Sequence, residues 1–402
     1  MTTIDQLETH GIPVTALAGG GPVQTKTVVH DVDQLRSLLD QGLDEQGRQA
    51  HYEALFNGIA PAATGGAADA SGTTLSQRIA AHVVGNADLS DEDRAAIAPA
   101  FPLTAHVTAA PGPLTISSRY DLSTPDGSVQ IVSFTDVILV QGGYFVCEST
   151  PLSFTCLTLT RNGNSGGSAA DFNILGKTGA TPATPPTPAA AGQAASGAPG
   201  ECSSAGIAGR GGGNGSSGAA GTPGTAGTNG SPGTPSMQAT ITIQQTLTAS
   251  ALTVFSQSGP GGPGGNGGAG GPGQQGGNGG NGATCDCTGN GGGSGGNGGM
   301  GGPGGAAGSG GNGANAAGNV LIRVPTASDV ATVNQTTEPA PPGVAGQPGP
   351  GGPGGAGGAG GAAGKNNSGG GHGGSGSPGA TGTPGQSGTV SGTAALITVT
   401  PV

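Results

Sequence analysis

From Gly206 to Gly233 a glycine stands at every third position without a miss, and three later tracts, Gly261 to Gly282, Gly293 to Gly311 and Gly349 to Gly361, come close to a Gly-Gly-X rule. Three residues per turn is the period of the left-handed polyproline II helix, so one edge of each tract is bare backbone that can touch another backbone. Such a helix makes no hydrogen bonds within itself. Because buried amides need partners, ordered tracts must bond sideways to one another.

Composition points the same way. Ninety glycines and 31 prolines in 402 residues signal either a periodic fibrous structure or low complexity, and the period favours the first. With 33% apolar and 2% aromatic residues and no tryptophan, any apolar core must be local. Residues 1 to 100 hold 13 acids against 5 bases, a balance of -8, whereas residues 201 to 402 hold only seven charges. A half this neutral lacks the basic stripe that neutralises phosphates, so no nucleic-acid partner is expected. No run of about 18 apolar residues exists, so no membrane span is expected. Met1 to Pro22 carries acids where a signal peptide carries bases, so export outside the cell or to its surface would proceed without an evident signal peptide.

Three regions are expected. Residues 1–102 read as a mainly helical attachment or assembly region: Leu35, Leu38, Leu39 and Leu43 fall at helical spacing between Asp31 and Phe56, Thr74 to Val84 is a second helix, and Ser90 caps a third that stops by Ala98. Residues 103–178 read as a β domain, with strands at Leu114 to Ser118, Ser128 to Phe134, Val137 to Val140, Tyr144 to Cys147 and Phe154 to Thr160. Residues 179–402 alternate glycine-rich arms with strands at Ala239 to Ile243, Leu247 to Phe255, Val320 to Val324 and Ala394 to Thr400.

Each late strand stands between pairs of arms, and each pair is broken once, at Glu201 to Ala205, Ala283 to Thr288 and Lys365 to Ser368. The layout is strand, arm, turn, arm, strand: three long hairpins. The expected fold class is mainly β and polyproline II, a β-solenoid or sandwich base with polyglycine II arms in hairpin pairs and a small helical N-terminal region. A flexible linker or disordered chain needs no such register. A collagen triple helix is disfavoured because Gly-Gly-X discards the stiffening imino acids.

Cys147 and Cys156 flank Glu148 to Thr155, a β-hairpin on this reading, so either a cross-strand disulfide or two reduced thiols fits. Cys202, Cys285 and Cys287 all fall in breaks between arms, at one end if the hairpins lie side by side; Cys202 then reaches Cys285 or Cys287. Three thiols with no nearby histidine make a weak metal site, and no cofactor or metal is expected. The six histidines, His10, His30, His51, His82, His106 and His372, show no metal spacing and read as surface or capping residues. Asp31, Asp33, Asp40, Asp44 and Glu45 read as a solvated helix face.

Motifs that carry chemistry fail. Gly163 to Gly167 and Gly292 to Gly296 satisfy the serine-hydrolase elbow pattern, which chance produces readily in such sequence, and Gly364-Lys365 is followed by Asn366 where a phosphate loop needs Ser or Thr. No catalytic constellation remains, and no enzyme is expected.

The tracts, as in Gly261-Gly262-Pro263-Gly264-Gly265-Asn266 and Gly298-Gly299-Met300-Gly301-Gly302-Pro303, resemble polyglycine II helical-bundle and collagen-like glycine-rich repeat proteins, among them the adhesins at phage tail-fibre tips and springtail antifreeze proteins. From the adhesins the resemblance implies a rigid bundle whose distal loops contact a bacterial surface receptor. The contacts would then be Ser203, Ser204, Thr284, Asp286, Thr288, Lys365, Asn366, Asn367 and Ser368. The expected function is a structural or adhesive protein presenting stiff arms to a surface receptor, or assembling side by side with copies of itself as a homo-oligomer or filament. The alternatives are a tail-fibre-type receptor-binding tip and, from the three-residue recurrence of Thr222, Thr225, Thr228 and Ser231, an ice-binding protein.

Overall fold

The computed structural model describes residues 21–40, 43–57, 73–167 and 170–402. The expectations for His10 and for Met1 to Gly20 lie outside them. Among the described residues twelve strands form two sheets: β1 (Val23–Val29), β2 (Leu103–Ile116), β3 (Arg119–Asp121), β4 (Gln130–Leu139), β5 (Tyr144–Glu148), β6 (Leu152–Arg161), β7 (Phe172–Leu175), β8 (Ala239–Thr248), β9 (Leu252–Gln257), β10 (Val320–Val324), β11 (Val333–Glu338) and β12 (Ile397–Pro401). One sheet has seven strands in the order β1-β2-β4-β6-β8-β10-β12 and the other five, β11-β9-β7-β5-β3. After β2 the chain passes alternately from one sheet to the other. Pairing within each is parallel except β1 with β2, which is antiparallel.

This corrects the expected fold class. Instead of a mainly β base of solenoid or sandwich type, the structure is an α/β arrangement of a seven-stranded mixed sheet, a five-stranded parallel sheet and few helices. Val23 to Val29 is responsible for the mixed character: its residues alternate between half-buried and exposed, as those of a strand with one face against the protein do, inside a region expected to be helical. The proposed Glu148 to Thr155 hairpin is also corrected, because β5 and β6 belong to different sheets.

The helices are α1 (Val32–Leu39), α2 (Glu45–Phe56), α3 (Leu75–Val83) and α4 (Asp91–Ile97). The single pattern from Asp31 to Phe56 is two helices because Asp31 and Asp44 each cap a start, accepting from the N–H of Gln34 and of Gly47. Thr74 and Gln77 close a capping box on α3, and Ser90 caps α4. Strand alternation decides the layers. Val132, Phe134, Val137 and Leu139 of β4 face the other sheet, whereas Ile131 joins Val29, Leu38 and Val107 in a second apolar cluster beneath the helices. Between the sheets Phe134, Phe145, Phe154 and Phe172 pack mostly edge to face, with Phe145 and Phe172 stacked at 4.8 Å. The core is therefore local to the sheets.

His51 and His82 depart from the surface role expected of the histidines. His82 is buried between Asp33 (3.0 Å) and the Ala87 carbonyl (2.9 Å). His51, on α2, meets the Thr240 hydroxyl of β8 at 2.9 Å. Burial, reinforced by Arg323 and Arg48, holds its pKa down at about 4. The unfolded chain takes up this proton near pH 6.5 and the folded chain only near 4, so the unfolded state binds more protons between those values. Stability contributed here is complete above pH 6.5 and declines as pH falls towards 4, by about 3 kcal/mol in total. Urea midpoints of wild type and His51→Gln between pH 4 and 7 should converge towards low pH; parallel profiles would refute the assignment.

The glycine tracts form six extended rods: rod 1 (176–200), rod 2 (209–236), rod 3 (258–283), rod 4 (289–318), rod 5 (339–364) and rod 6 (369–394). Rods 1, 3 and 5 leave the smaller sheet after β7, β9 and β11; rods 2, 4 and 6 return to the larger at β8, β10 and β12. They make two layers of three. Within layers, rod 1 donates to rod 3, rod 3 to rod 5, rod 2 to rod 4 and rod 4 to rod 6. Between layers each rod from 2 to 6 donates to the one before it, as Gly268 N–H does to Thr225 and Gly305 to Gly268, both at 2.8 Å. Rods 3 and 4 thus bond to four neighbours each.

Glycine is required where rods touch. A Cβ on Gly302 would lie 2.0 Å from the Thr222 oxygen, and one on Gly301 1.9 Å from that of Gly352. The third residue of each repeat faces outward, and there asparagine recurs with a purpose: the Oδ1 atoms of Asn266, Asn278 and Asn281 accept the N–H of Gln347, Ala359 and Ala362 in the next rod of the same layer. Backbone bonding thus substitutes for side-chain burial throughout this half.

Candidate functional site

The distal end, where the rods reverse, gathers the residues expected to make contacts. The first turn closes with Glu201 N–H to Arg210 and Ser203 N–H to Ile207, and Gly206 takes φ +70° at its corner. That φ explains why the three-residue glycine spacing runs on through a turn. In the second, Thr284 pairs with Gly289 and Cys285 N–H donates to Thr288, leaving Asp286 and Cys287 at the apex. The third places Asn366 at φ +59°, a left-handed conformation asparagine tolerates.

Cross-ties knit the three turns into one surface. A disulfide joins Cys202 to Cys285, their Cα atoms 5.7 Å apart and 83 residues apart in sequence. Asn290 Nδ2 donates to the carbonyls of Glu201 (2.8 Å) and Arg210 (2.6 Å), and Ala208 N–H to Thr288 Oγ1 (3.1 Å). Asn367 Nδ2 reaches the Gly289 carbonyl at 3.0 Å, and Lys365 Nζ lies 3.4 Å from the Asp286 carbonyl.

The structure brings the expected contact residues together. Ser204, Thr284, Asp286, Thr288, Lys365, Asn366, Asn367 and Ser368 are exposed and Ser203 is half-buried. Sequence reasoning missed Arg210 and Ile207, which is 50% exposed, because the first turn reaches past its expected end at Ala205, and it left Glu201, the first residue of that break, out of the contacts. The signal was there: Arg210 and Glu201 are two of only seven charges in this half. With Asp286 and Lys365 they give an end surface of two acids and two bases around an aliphatic side chain.

Cys287 is exposed and free. Cys147 and Cys156 are unbridged and buried in the core between the sheets, where burial pushes both thiols up. Of the two readings left open for this pair, free thiols is the one found, because β5 and β6 lie in separate sheets.

The hydrolase-like patterns have no supporting context. Gly163 to Gly167 follows β6 and leads towards β7, not into a helix, and Gly292 to Gly296 lies inside rod 4. Among the described residues no group of three or more His, Cys, Asp or Glu could hold a metal ion. No helix among them is long and apolar enough to cross a membrane. Neither a family model, nor a curated protein, nor a solved structure matches the chain.

Proposed function

We propose that this chain is a structural or adhesive protein working outside the cell, whose glycine-rich rods hold a stiff contact surface away from an α/β base. One observation carries the reading: three turns far apart in sequence are tied into one distal surface by a disulfide and side-chain hydrogen bonds. At about 3.1 Å per residue, rods of about 24 residues set that surface some 75 Å from the apolar core. A disulfide that ties the tips suits an oxidising compartment.

The rod edges favour presentation by a single bundle over side-by-side stacking of copies. In rod 4, Gly295, Gly298, Gly301 and Gly304 admit rod 5, because a Cβ there would come within 2.0 Å of its carbonyl oxygens. The equivalent positions of rod 6 are His372, Ser375, Pro378, Thr381, Pro384 and Ser387, which obstruct a seventh rod. Pro182, Pro185 and Pro188 of rod 1 face inward, lying against Gly265, Gly268 and Gly271 of rod 3. The rod 6 edge is thus guarded as exposed sheet edges are.

The test is binding of labelled protein to bacterial cells after Ser204, Thr284, Lys365 and Asn366 are changed together to alanine. Removing the contact residues should weaken binding about tenfold or more, with the circular dichroism spectrum unchanged. Undiminished binding by this variant would remove the distal surface from consideration.

A further inference from the structure

Three cysteines gather in the turns of the distal end, with their sulfurs in two oxidation states. Cys202 and Cys285 are bonded, and Cys287, in the same short turn as Cys285, is a free thiol. Exposure differs sharply among them: Cys202 and Cys287 are open to solvent, whereas Cys285 is only 6% exposed. A large external nucleophile is therefore screened from Cys285, but Cys287 is not. Two residues of chain span at most about 7 Å, and the Cys285 N–H to Thr288 bond folds this turn tighter than that. Disulfides accept Cα separations of about 4.4–6.8 Å.

We propose that Cys202, Cys285 and Cys287 form a thiol–disulfide exchange site that attaches the distal end covalently to a partner protein bearing an accessible disulfide. The proposal rests on the distal end being the contact surface. Cys287 loses its proton to water and its thiolate attacks Sγ of Cys285. The Cys285–Cys287 bond forms, the Cys202–Cys285 bond breaks, and Cys202 departs with the electron pair as an exposed thiolate. It then attacks one sulfur of the partner's disulfide, forming a mixed disulfide and expelling the other partner sulfur as a thiolate, which takes a proton from water. One thiol and two disulfides enter, and one thiol and two disulfides leave, so no separate oxidant is needed.

The site also has a structural consequence. Exchange within the second turn releases the first turn from the disulfide, while Asn290 and Thr288 keep both turns in place through their hydrogen bonds to Glu201, Arg210 and Ala208. The surface therefore keeps its shape while its covalent partner changes.

The experiment incubates the intact protein with glutathione disulfide, quenches with acid and maps disulfides by mass spectrometry without reduction. The expected result is glutathione on Cys202 together with a Cys285–Cys287 bond, and loss of that adduct in Cys287→Ser. Glutathione on Cys287 with the Cys202–Cys285 bond intact would reduce Cys287 to an ordinary surface thiol and overturn the relay; absence of any adduct would overturn it equally. Cell binding by the alanine variant is read separately, so loss of one result leaves the other standing.

Discussion

Gly302→Ala is expected to destabilise the rod bundle by about 3 kcal/mol or more, the upper end of what overpacking a tight interior costs. The added methyl would sit 2.0 Å from the Thr222 oxygen and 2.6 Å from its carbon, and both belong to backbone that is itself bonded. Thr222 O accepts the Gly271 N–H, so it cannot turn away without breaking a second contact. Met300, two residues earlier, is 59% exposed, and Met300→Ala should fall within about 0.5 kcal/mol of wild type. Thermal unfolding followed by circular dichroism checks the pair. Equal midpoints would mean that the rods are not held by close backbone approach.

Removing the disulfide by Cys202→Ser with Cys285→Ser is expected to cost about 4 kcal/mol, chiefly because the unfolded chain regains the entropy of a long loop. The bridged residues stand 83 apart in sequence. The folded end should keep its geometry, since Asn290, Thr288 and the rods' own ladders still join the two hairpins. Urea unfolding should therefore show a lower midpoint and a steeper dependence on denaturant, as a more expanded unfolded chain exposes more surface. A midpoint unchanged from wild type would indicate that the cross-link constrains nothing the lateral bonds do not already hold.

How far the fold could be read from residues differs between the halves. Gly206 to Gly233 announces its rod because the three-residue period is the contact rule itself: every third residue from Gly209 to Gly233 is a place where a Cβ has no room. The leucine spacing after Asp31 made a helix legible, but Asp44, read as part of a solvated face, is the cap that separates α2 from α1. Val23 to Val29 was illegible as a strand because its worth depends on β2 lying beside it, at more than 70 residues' remove. β11 was missed for a related reason. Val333 is the single buried residue of β11, so its alternation carries no apolar signal.

The distal site was half legible. Its turns stand out as breaks in the glycine period, which places Cys202, Cys285 and Cys287 at one end. Which two are bonded is a matter of placement: Cys285 lies buried at the neck of its turn and Cys287 exposed at the apex.

The sequence alone determined that this half would be built of laterally bonded backbone, because its spacing leaves room for nothing else. Only the tertiary structure decided which rod lies beside which and how the short strands divide between two sheets. The physical reason is that main-chain amides are alike in every residue: an N–H from Gly268 bonds equally well to any carbonyl of the right spacing. Neighbours are therefore selected by connection lengths, by the sheets that anchor each rod, and by the few side chains, such as Asn290 and the prolines of rod 1, that differ from their surroundings.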